Sequence, residues 1–407
     1  METDSKLKTE IFTDNYLDAA AVLEKGGLVA VPTETVYGLA GNGLDSEIIE
    51  KIYEVKGRPA YKPISLMVSD ISDISRYTRN APEEAYDLAS RFWPGPLTII
   101  LPAADFLPSN LLAGGTTVGL RCPASPKTLD LLKSLSFPLA VPSANISGQP
   151  SPKTAQDVID GLGGKIEGLI DGGPCELGFE STIIDMSCIP FRILRHGSLP
   201  DEDVYSALTG NMEIIGLAGC SGAGKTTALH VLEDLGFVII DCDKLYHSLL
   251  ENNQEMLDEL QKSFPGSVGE QGLDRKKLAG IVFSDPSKLQ LLNRITHKHV
   301  VNSVSGIITE AALNGKMRLA IDAVELFSSG LNELCSFTVA VLAERDIQIK
   351  RLTARDSITE AEAIARIDAQ KSDDYYISLA DYSVYNNSSE NMLRDSFINI
   401  ISKEKKK

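Results

Sequence analysis

Residues 212–236, MEIIGLAGCSGAGKTTALHVLEDLG, decide the fold of the second half of the chain. MEIIGLA reads as a strand and TTALHVLEDLG as a helix, and between them Gly219-x-x-x-x-Gly224-Lys225-Thr226 has Walker A spacing. Glycines let a backbone wrap a phosphate with its N–H groups, and the following helix adds its positive amino-terminal end. The nucleotide contacts expected here are Gly219, Ser221, Gly222, Ala223, Gly224, Lys225, Thr226 and Thr227. Lys225 reaches the outer phosphates, and the Thr226 hydroxyl is suited to ligand Mg²⁺ brought with ATP. The strand before and the helix after separate this loop from an ordinary Gly-rich turn. The next strand ends in Ile240-Asp241-Cys242-Asp243. Carboxylates at the carboxyl end of a neighbouring parallel strand face the crevice where ligands bind. One is suited to hold hydrated Mg²⁺ and the other to accept a hydroxyl proton, the alternative for either being a strand-end cap.

Outward from this loop the pattern is strand 213–218, helix 225–235, strand 237–241, a long helical stretch 243–314, strands 317–322 and 337–342, helices within 346–370, strand 382–385 and helix 389–402. Strands separated by helices predict a parallel sheet covered on both faces. Before it, 28–31, 64–68, 97–101, 117–120, 139–141, 182–184 and 191–194 read as strands, and 15–25, 46–56, 83–92 and 154–159 as helices. That predicts an α/β domain with a large mixed sheet. The acidic stretch 197–212, GSLPDEDVYSALTGNM, carries the boundary, giving domains 1–205 and 212–407 joined by a linker at 206–211.

Length suits two cores, and 43% hydrophobic with 23% charged residues is a globular composition. Apolar runs fall far short of the roughly 20 residues that span a bilayer. METDSKLKTEIFTD has no apolar signal core, so no secretory peptide is expected. Six scattered cysteines without C-x-x-C spacing indicate neither zinc nor a disulfide framework, and a reducing cytoplasm fits best. Net charge is -17, divided -11 before residue 210 and -6 after it, which argues against strong direct binding of nucleic acid by either half.

The first half has no Walker loop, nucleophile elbow or metal-ligand cluster. It does place cations and small polar groups at predicted element ends: Lys56, Arg58 and Lys62 after a helix, and Arg121 and Arg195 ending strands. Ser143 and Asn145 follow another strand, and DGGPCELGFESTI brings backbone donors with Ser181 and Thr182. Cations gathered in an acidic domain suggest an anionic ligand, with surface ion pairing as the alternative.

VPTETVYGLA, KGRPAYKPISLMV, FWPGPLTIIL, TTVGLRCP, PSANISGQPSP, GFESTIID and ILRHG resemble the threonylcarbamoyl-AMP synthase family over about 10–200. The resemblance implies conversion of L-threonine, bicarbonate and ATP to threonylcarbamoyl-AMP and pyrophosphate, the adenylate being handed to a tRNA threonylcarbamoyl transferase. It also implies a Lys56, Arg58, Ser143 and Asn145 signature, threonine near Thr33, Arg121, Ser143 and Ser181, and ATP near Thr117 and Asn145. In that chemistry two anions meet, and Lys56, Arg58 and Arg195 are placed to offset their repulsion. SGQPSP at 147–152 would then serve as a cover that excludes water.

The second half resembles dephospho-CoA kinase over nearly all of 212–403, through GLAGCSGAGKTT, DLGFVIIDCDKLYH, LDRKKLAGIVFSDPSKLQLLNRITH, IKRLTARDSIT, RIDAQ and ADYSVYNNSS. This implies transfer of the ATP γ-phosphate to the 3′-hydroxyl of dephospho-CoA, with Asp243 as general base, Asp241 beside it, and Arg351 and Arg355 on a lid-like helix. Ala218, Val324 and Ser328 depart from that family's pattern, and Cys220 replaces a usual Gly. The rival expectations are a degenerate kinase fold that only binds nucleotide, and a first half that binds RNA.

Overall fold

The computed structural model describes residues 7–13, 16–269 and 272–406. The chain divides into two compact units, Met1–Gly210 with Leu313–Gly315, and Asn211–Ala312 with Lys316–Lys407.

The first unit runs β1 (Glu10–Phe12), α1 (Tyr16–Glu24), β2 (Val29–Val31), β3 (Gly38–Asn42), α2 (Ser46–Lys56), β4 (Leu66–Met67), α3 (Asp73–Tyr77), α4 (Glu83–Phe92), β5 (Leu97–Pro102), β6 (Thr117–Arg121), α5 (Pro126–Ser134), β7 (Leu139–Ala140), α6 (Ala155–Leu162), β8 (Gly168–Ile170), β9 (Thr182–Asp185), β10 (Arg192–Arg195) and α7 (Asp201–Gly210). Its strands make one mixed sheet in the order β1-β8-β2-β3-β7-β4-β6-β5-β9-β10. Strands β1, β3 and β8 and helices α3, α5 and α7 add to the elements expected from sequence. β3, GLAGN, escapes because glycine carries little strand propensity. Packing is what requires it: a Cβ at Gly38 would lie 2.3 Å from Val141 Cγ1, and one at Gly41 2.7 Å from Ile48 Cγ2. Residues 206–210, expected within a linker, are instead the last half of α7, whose Val204, Ala207 and Leu208 are buried. The expected first residue of α1, Asn15, lies outside the described residues.

α2 positions the first site. Asp45 caps it, its carboxylate accepting from the N–H groups of Glu47 and Ile48, and Gly57 ends it in the left-handed region at φ 57°. Ile48, Ile49, Ile52 and Tyr53 form its buried stripe, and Lys56 falls on the same stripe. Arg58 therefore emerges just beyond the cap.

The second unit runs β11 (Glu213–Ala218), α8 (Lys225–Asp234), β12 (Val238–Asp241), α9 (Cys242–Asn252), α10 (Gln254–Ser263), β13 (Val268–Gly269), β14 (Gly272–Leu273), α11 (Arg275–Val282), α12 (Pro286–Leu313), β15 (Arg318–Asp322), β16 (Phe337–Leu342), α13 (Arg345–Asp356), α14 (Glu360–Asp368), α15 (Asp373–Leu379), β17 (Tyr382–Tyr385) and α16 (Glu390–Glu404). Five strands, all parallel, order as β12-β15-β11-β16-β17. Apolar residues of α8 and α16, among them Leu232 and Phe397, pack with Ile215, Leu217, Val339 and Val341 of the sheet in one core. The expected helical stretch 243–314 is in fact four helices interrupted by the β13–β14 hairpin. Asn253 and Asp274 cap α10 and α11, and Pro265-Gly266 follows the end of α10.

Replacing Asp45 with Ala should destabilise the first unit by about 1 kcal/mol, the usual cost of losing a helix cap. The chain's one tryptophan, Trp93, is buried in that unit, so its fluorescence during urea unfolding reads the shift.

Candidate active sites

The first site spans the β3–β10 part of the ten-stranded sheet, drawing on the last residues of β6 and β10, the loop after β7 and the residues before β9. They line a cleft of about 190 Å³ with Arg58, Arg121, Ser143, Glu180, Ser181 and Arg195 in its walls. Lys56 is absent from the lining of the cleft and is only 1% exposed. Its ammonium donates to the carbonyls of Ser143 and Asn145 and, at 3.3 Å, to Asn145 Oδ1. The Ser143 hydroxyl donates to the same Oδ1 at 2.5 Å. Burial, then the nearby Arg58 charge, lowers the Lys56 pKa to about 7, with Glu180 opposing the shift. Arg58 itself donates to the carbonyls of Lys62 and Pro63 at 3.0 and 2.8 Å.

Arg121 is 6% exposed. Its guanidinium donates to Glu34 at 2.5 Å, to the Thr35 hydroxyl at 2.9 Å and to the Gly95 carbonyl at 3.2 Å. Glu34 also accepts from the Ala124 N–H, so the pair is held on both sides. Thr33 does not line the cleft. Its hydroxyl closes the local turn, donating to Val36 O at 2.6 Å and lying 2.8 Å from the Thr35 hydroxyl. The Ser181 hydroxyl sits between Thr98 at 2.8 Å and Arg195 at 2.9 Å. Thr117 starts β6, four residues before Arg121, and is absent from the lining of the cleft. Sequence reasoning overlooked Glu34 and Glu180, the two carboxylates that pair with Arg121 and Arg195. Each stands inside a quoted motif, VPTETVYG or GFESTIID, but an acid in an acidic chain carries no signal of its own.

The second site forms where β11 runs into α8. Gly219, Gly222 and Gly224 have φ of 146°, 84° and 91°, a path open to glycine. At Gly224 a Cβ would also meet Asn386 Nδ2 at 2.0 Å. Lys225 folds back to the Gly219 carbonyl at 2.8 Å. A cavity of about 640 Å³ is lined by Ser221, Gly222, Gly224, Lys225, Thr226, Thr227, Asp243, Asp322, Arg351 and Arg355. A second cavity, about 260 Å³, shares Asp243 and Val324 with it and adds Tyr246, Asn293, His297 and Glu325.

The two aspartates after β12 separate. Asp243 faces both cavities, whereas Asp241 lines neither and caps α9, accepting from the Lys244 N–H at 2.9 Å and pairing with the Lys244 ammonium. Arg351 braces the loop, donating to the carbonyls of Gly222, Ala223 and Asn386. Arg355, one turn on, pairs with Asp356. Ala223 is wholly buried and does not line the cavity. Gln370 accepts from the Ser221 N–H at 2.7 Å and donates to its hydroxyl at 2.9 Å. Asp322, which sequence reasoning missed, ends β15 in register with Asp241. Its Oδ1 is buried without a hydrogen-bond partner, and burial raises its pKa against the pull of Lys225.

Residues 21–197 match the Sua5/YciO/YrdC family, described as telomere recombination, and residues 213–391 match CoaE, dephospho-CoA kinase. The threonylcarbamoyl-AMP synthase of Pyrococcus abyssi is 46% identical over 190 residues, which cover 47% of this chain and 56% of that protein. A putative threonylcarbamoyl-AMP synthase of Mycobacterium tuberculosis is 34% identical over 192 residues, 47% of this chain and 88% of that protein. The solved structure of P. abyssi Sua5 complexed with L-threonine aligns with a TM-score of 0.48 at 26% identity, over 82% of this chain and 99% of that one. The chain spans little more than half the length of the first curated relatives it matches. It belongs to the threonylcarbamoyl-AMP synthase family through its first half and carries a dephospho-CoA kinase domain in its second.

Proposed function

We propose that this chain is a two-site enzyme that makes threonylcarbamoyl-AMP from L-threonine, bicarbonate and ATP at the first site and phosphorylates dephospho-CoA with ATP at the second. For the first site the carrying observation is one cleft bordered by Arg58, Arg121 and Arg195, with the buried Lys56 holding the carbonyl of Ser143, which lines it. Carboxylated threonine has to approach the ATP α-phosphate, so two anions must be brought together, and pre-placed cations stabilise the charge that develops. Arg121, held rigid by Glu34, would take the threonine carboxylate, with Ser181 beside it and Thr33 shaping the turn. Lys56 and Asn145 would set the loop bearing Ser143, while Arg58 and Arg195 face phosphate. Thr117 would contribute only by a shift of β6. No side chain need act as a nucleophile, since positioning supplies much of the effect. The adenylate product would pass to a separate tRNA-modifying transferase, the -17 charge of the chain being unsuited to holding tRNA. A reducing cytoplasm suits both reactions.

For the second site the carrying observation is that Asp243 borders both the phosphate-loop cavity and its neighbour, where an acceptor hydroxyl would lie. Asp243 would take the hydroxyl proton, and Lys225, Arg351 and Arg355 would surround the transferring phosphoryl group. Mg²⁺ with ATP fits this donor set. Thr226 and Asp322 share the cavity, and Mg²⁺ keeps most of its waters while taking few protein ligands. Bound there, it would offset charge on the phosphates. Ala218 is buried in β11, and Val324, though exposed, lines both cavities without closing either. The phosphate loop therefore retains its geometry despite the departures of sequence. Conversion of dephospho-CoA to CoA by the purified chain tests this half, and ATP binding without turnover would leave a nucleotide-binding fold.

Lys56→Ala and Arg58→Ala should each lower threonine-dependent pyrophosphate release at least about tenfold, the low end for losing a charge-assisted contact. CoA formation and the circular dichroism spectrum should persist. Release that ignores threonine, or unchanged rates in both variants, would remove the synthase reading.

Lys225→Ala should abolish CoA formation and leave threonine-dependent pyrophosphate release within about twofold, as independent sites behave additively. Loss of both activities together would contradict two separate sites.

Asp243→Asn should reduce kinase turnover by a factor on the order of 10²–10⁴, the scale of a positioned general base, with ATP affinity little altered. Asp241→Asn should instead act through its cap and be mild. Steady-state rates on both variants decide, and the reverse pattern would exchange the two assignments.

A further inference from the structure

Glu180 is an anion in a cleft whose other charged lining groups are the three arginines 58, 121 and 195. Its two carboxylate oxygens go to different parts of the fold. Oε2 pairs with Arg195 Nη1 at the end of β10, and Oε1 accepts from the Ser151 hydroxyl at 2.9 Å. The backbone of Glu180 is fixed as well, its carbonyl accepting from the Ser198 N–H at 2.9 Å and the Ser198 hydroxyl at 3.0 Å. The remaining donors of Arg195 go to Ser181, Nε to the carbonyl at 2.8 Å and Nη2 to the hydroxyl at 2.9 Å.

Ser151 belongs to segment 147–152, which crosses this end of the sheet. Its first residue donates through the Ser147 N–H to the Lys56 carbonyl at 2.8 Å, and its last accepts from the Tyr37 N–H at the Pro152 carbonyl at 2.9 Å. Between those anchors, the Gln149 carbonyl accepts from Asn145 Nδ2 at 2.5 Å. The Ser151 hydroxyl ties the segment to the β9–β10 side of the cleft through Glu180. Burial lowers the proton affinity of both Arg58 and Arg195, and the Glu180 charge opposes that loss in each.

We propose that Glu180 is a positioning residue, its single carboxylate holding Arg195 and segment 147–152 together in the arrangement that receives a nucleotide triphosphate. The proposal deepens the synthase reading above by saying how that site is organised for ATP. An arginine fixed before the ligand arrives loses little rotamer freedom on binding, so the benefit appears in affinity for the anion it faces. Threonine, whose carboxylate is assigned to Arg121, meets a guanidinium held by Glu34 rather than Glu180, and Ser181 keeps its Thr98 contact without Arg195. A residue that merely stabilised the fold would instead weaken both ligands alike.

The test is direct calorimetric binding, without turnover, in a Lys225→Ala background so that the second nucleotide site does not report. Glu180→Ala should weaken ATP at least about fivefold and leave L-threonine within about twofold, the separation expected of independent contacts. Ser151→Ala should weaken ATP less, and the double variant should match Glu180→Ala, since the Ser151 contact is already lost. Glu180→Gln, which keeps an acceptor for Ser151 and loses the charge for Arg195, should fall between Glu180→Ala and the parent. Unchanged ATP affinity in Glu180→Ala, equal loss of ATP and threonine, or additivity with Ser151→Ala would overturn the proposal. If Glu180→Ala does not fold, Glu180→Gln decides, unchanged ATP affinity again overturning it. Failure of the synthase reading is a separate result, seen as parent enzyme that binds ATP yet releases no pyrophosphate in response to threonine and bicarbonate.

Discussion

The first site depends on keeping one ammonium group out of water. Lys56 sits on the buried stripe of α2, and a charge in that position is costly unless oxygens replace its hydration. The carbonyls of Ser143 and Asn145 and the Asn145 side chain do so, all from a single loop. That one group therefore draws the end of α2, the loop after β7 and, through the Lys56 carbonyl, segment 147–152 into one assembly. The caps of α2 matter for the same reason, because they set where residue 56 points and where residue 58 emerges. Burial holds the pKa near 7, so this is a charge tuned by its surroundings rather than an ordinary surface lysine.

On the proposed reading the two units meet the same problem, an incoming polyanion, by different physical means. The first uses side-chain cations at strand ends and steadies them with acids, Glu34 on Arg121 and Glu180 on Arg195. The second uses backbone, with three positive-φ glycines shaping the loop and side chains bracing it from behind. Arg351 and Asn386 both donate to the Ala223 carbonyl, and Gln370 holds Ser221. A backbone cradle demands glycine at particular positions and tolerates little else, whereas a cradle of cations demands only that scattered residues converge. Distinct designs with no shared residue suit the two independent reactions proposed for this chain.

That difference also governs what could be read from sequence. The phosphate loop is contiguous, so its spacing, strand and helix could be read from order alone, whereas the choice between Asp241 and Asp243 could not. In the first unit the cations were visible as residues at element ends, but only the sheet brings Arg121, Ser143, Ser181 and Arg195 from four separate stretches into one cleft. Strands β1, β3 and β8 were not legible, because short or glycine-rich segments become strands only when neighbours supply their hydrogen bonds and close packing.

The acids mark the limit most clearly. With 56 Asp and Glu in the chain, nothing local distinguishes Glu34, Glu180 or Asp322 from the solvated majority. The amino-acid order alone determined two α/β units, a phosphate loop and the set of cations available to bind anions. Tertiary structure decided which carboxylates stand against those cations, that Asp241 caps a helix while Asp243 faces the cavities, and that Asp322 keeps a buried oxygen without a partner. The reason is physical: a helix period or a glycine's φ is a property of neighbouring residues, whereas desolvation and charge pairing depend on distances across the folded chain.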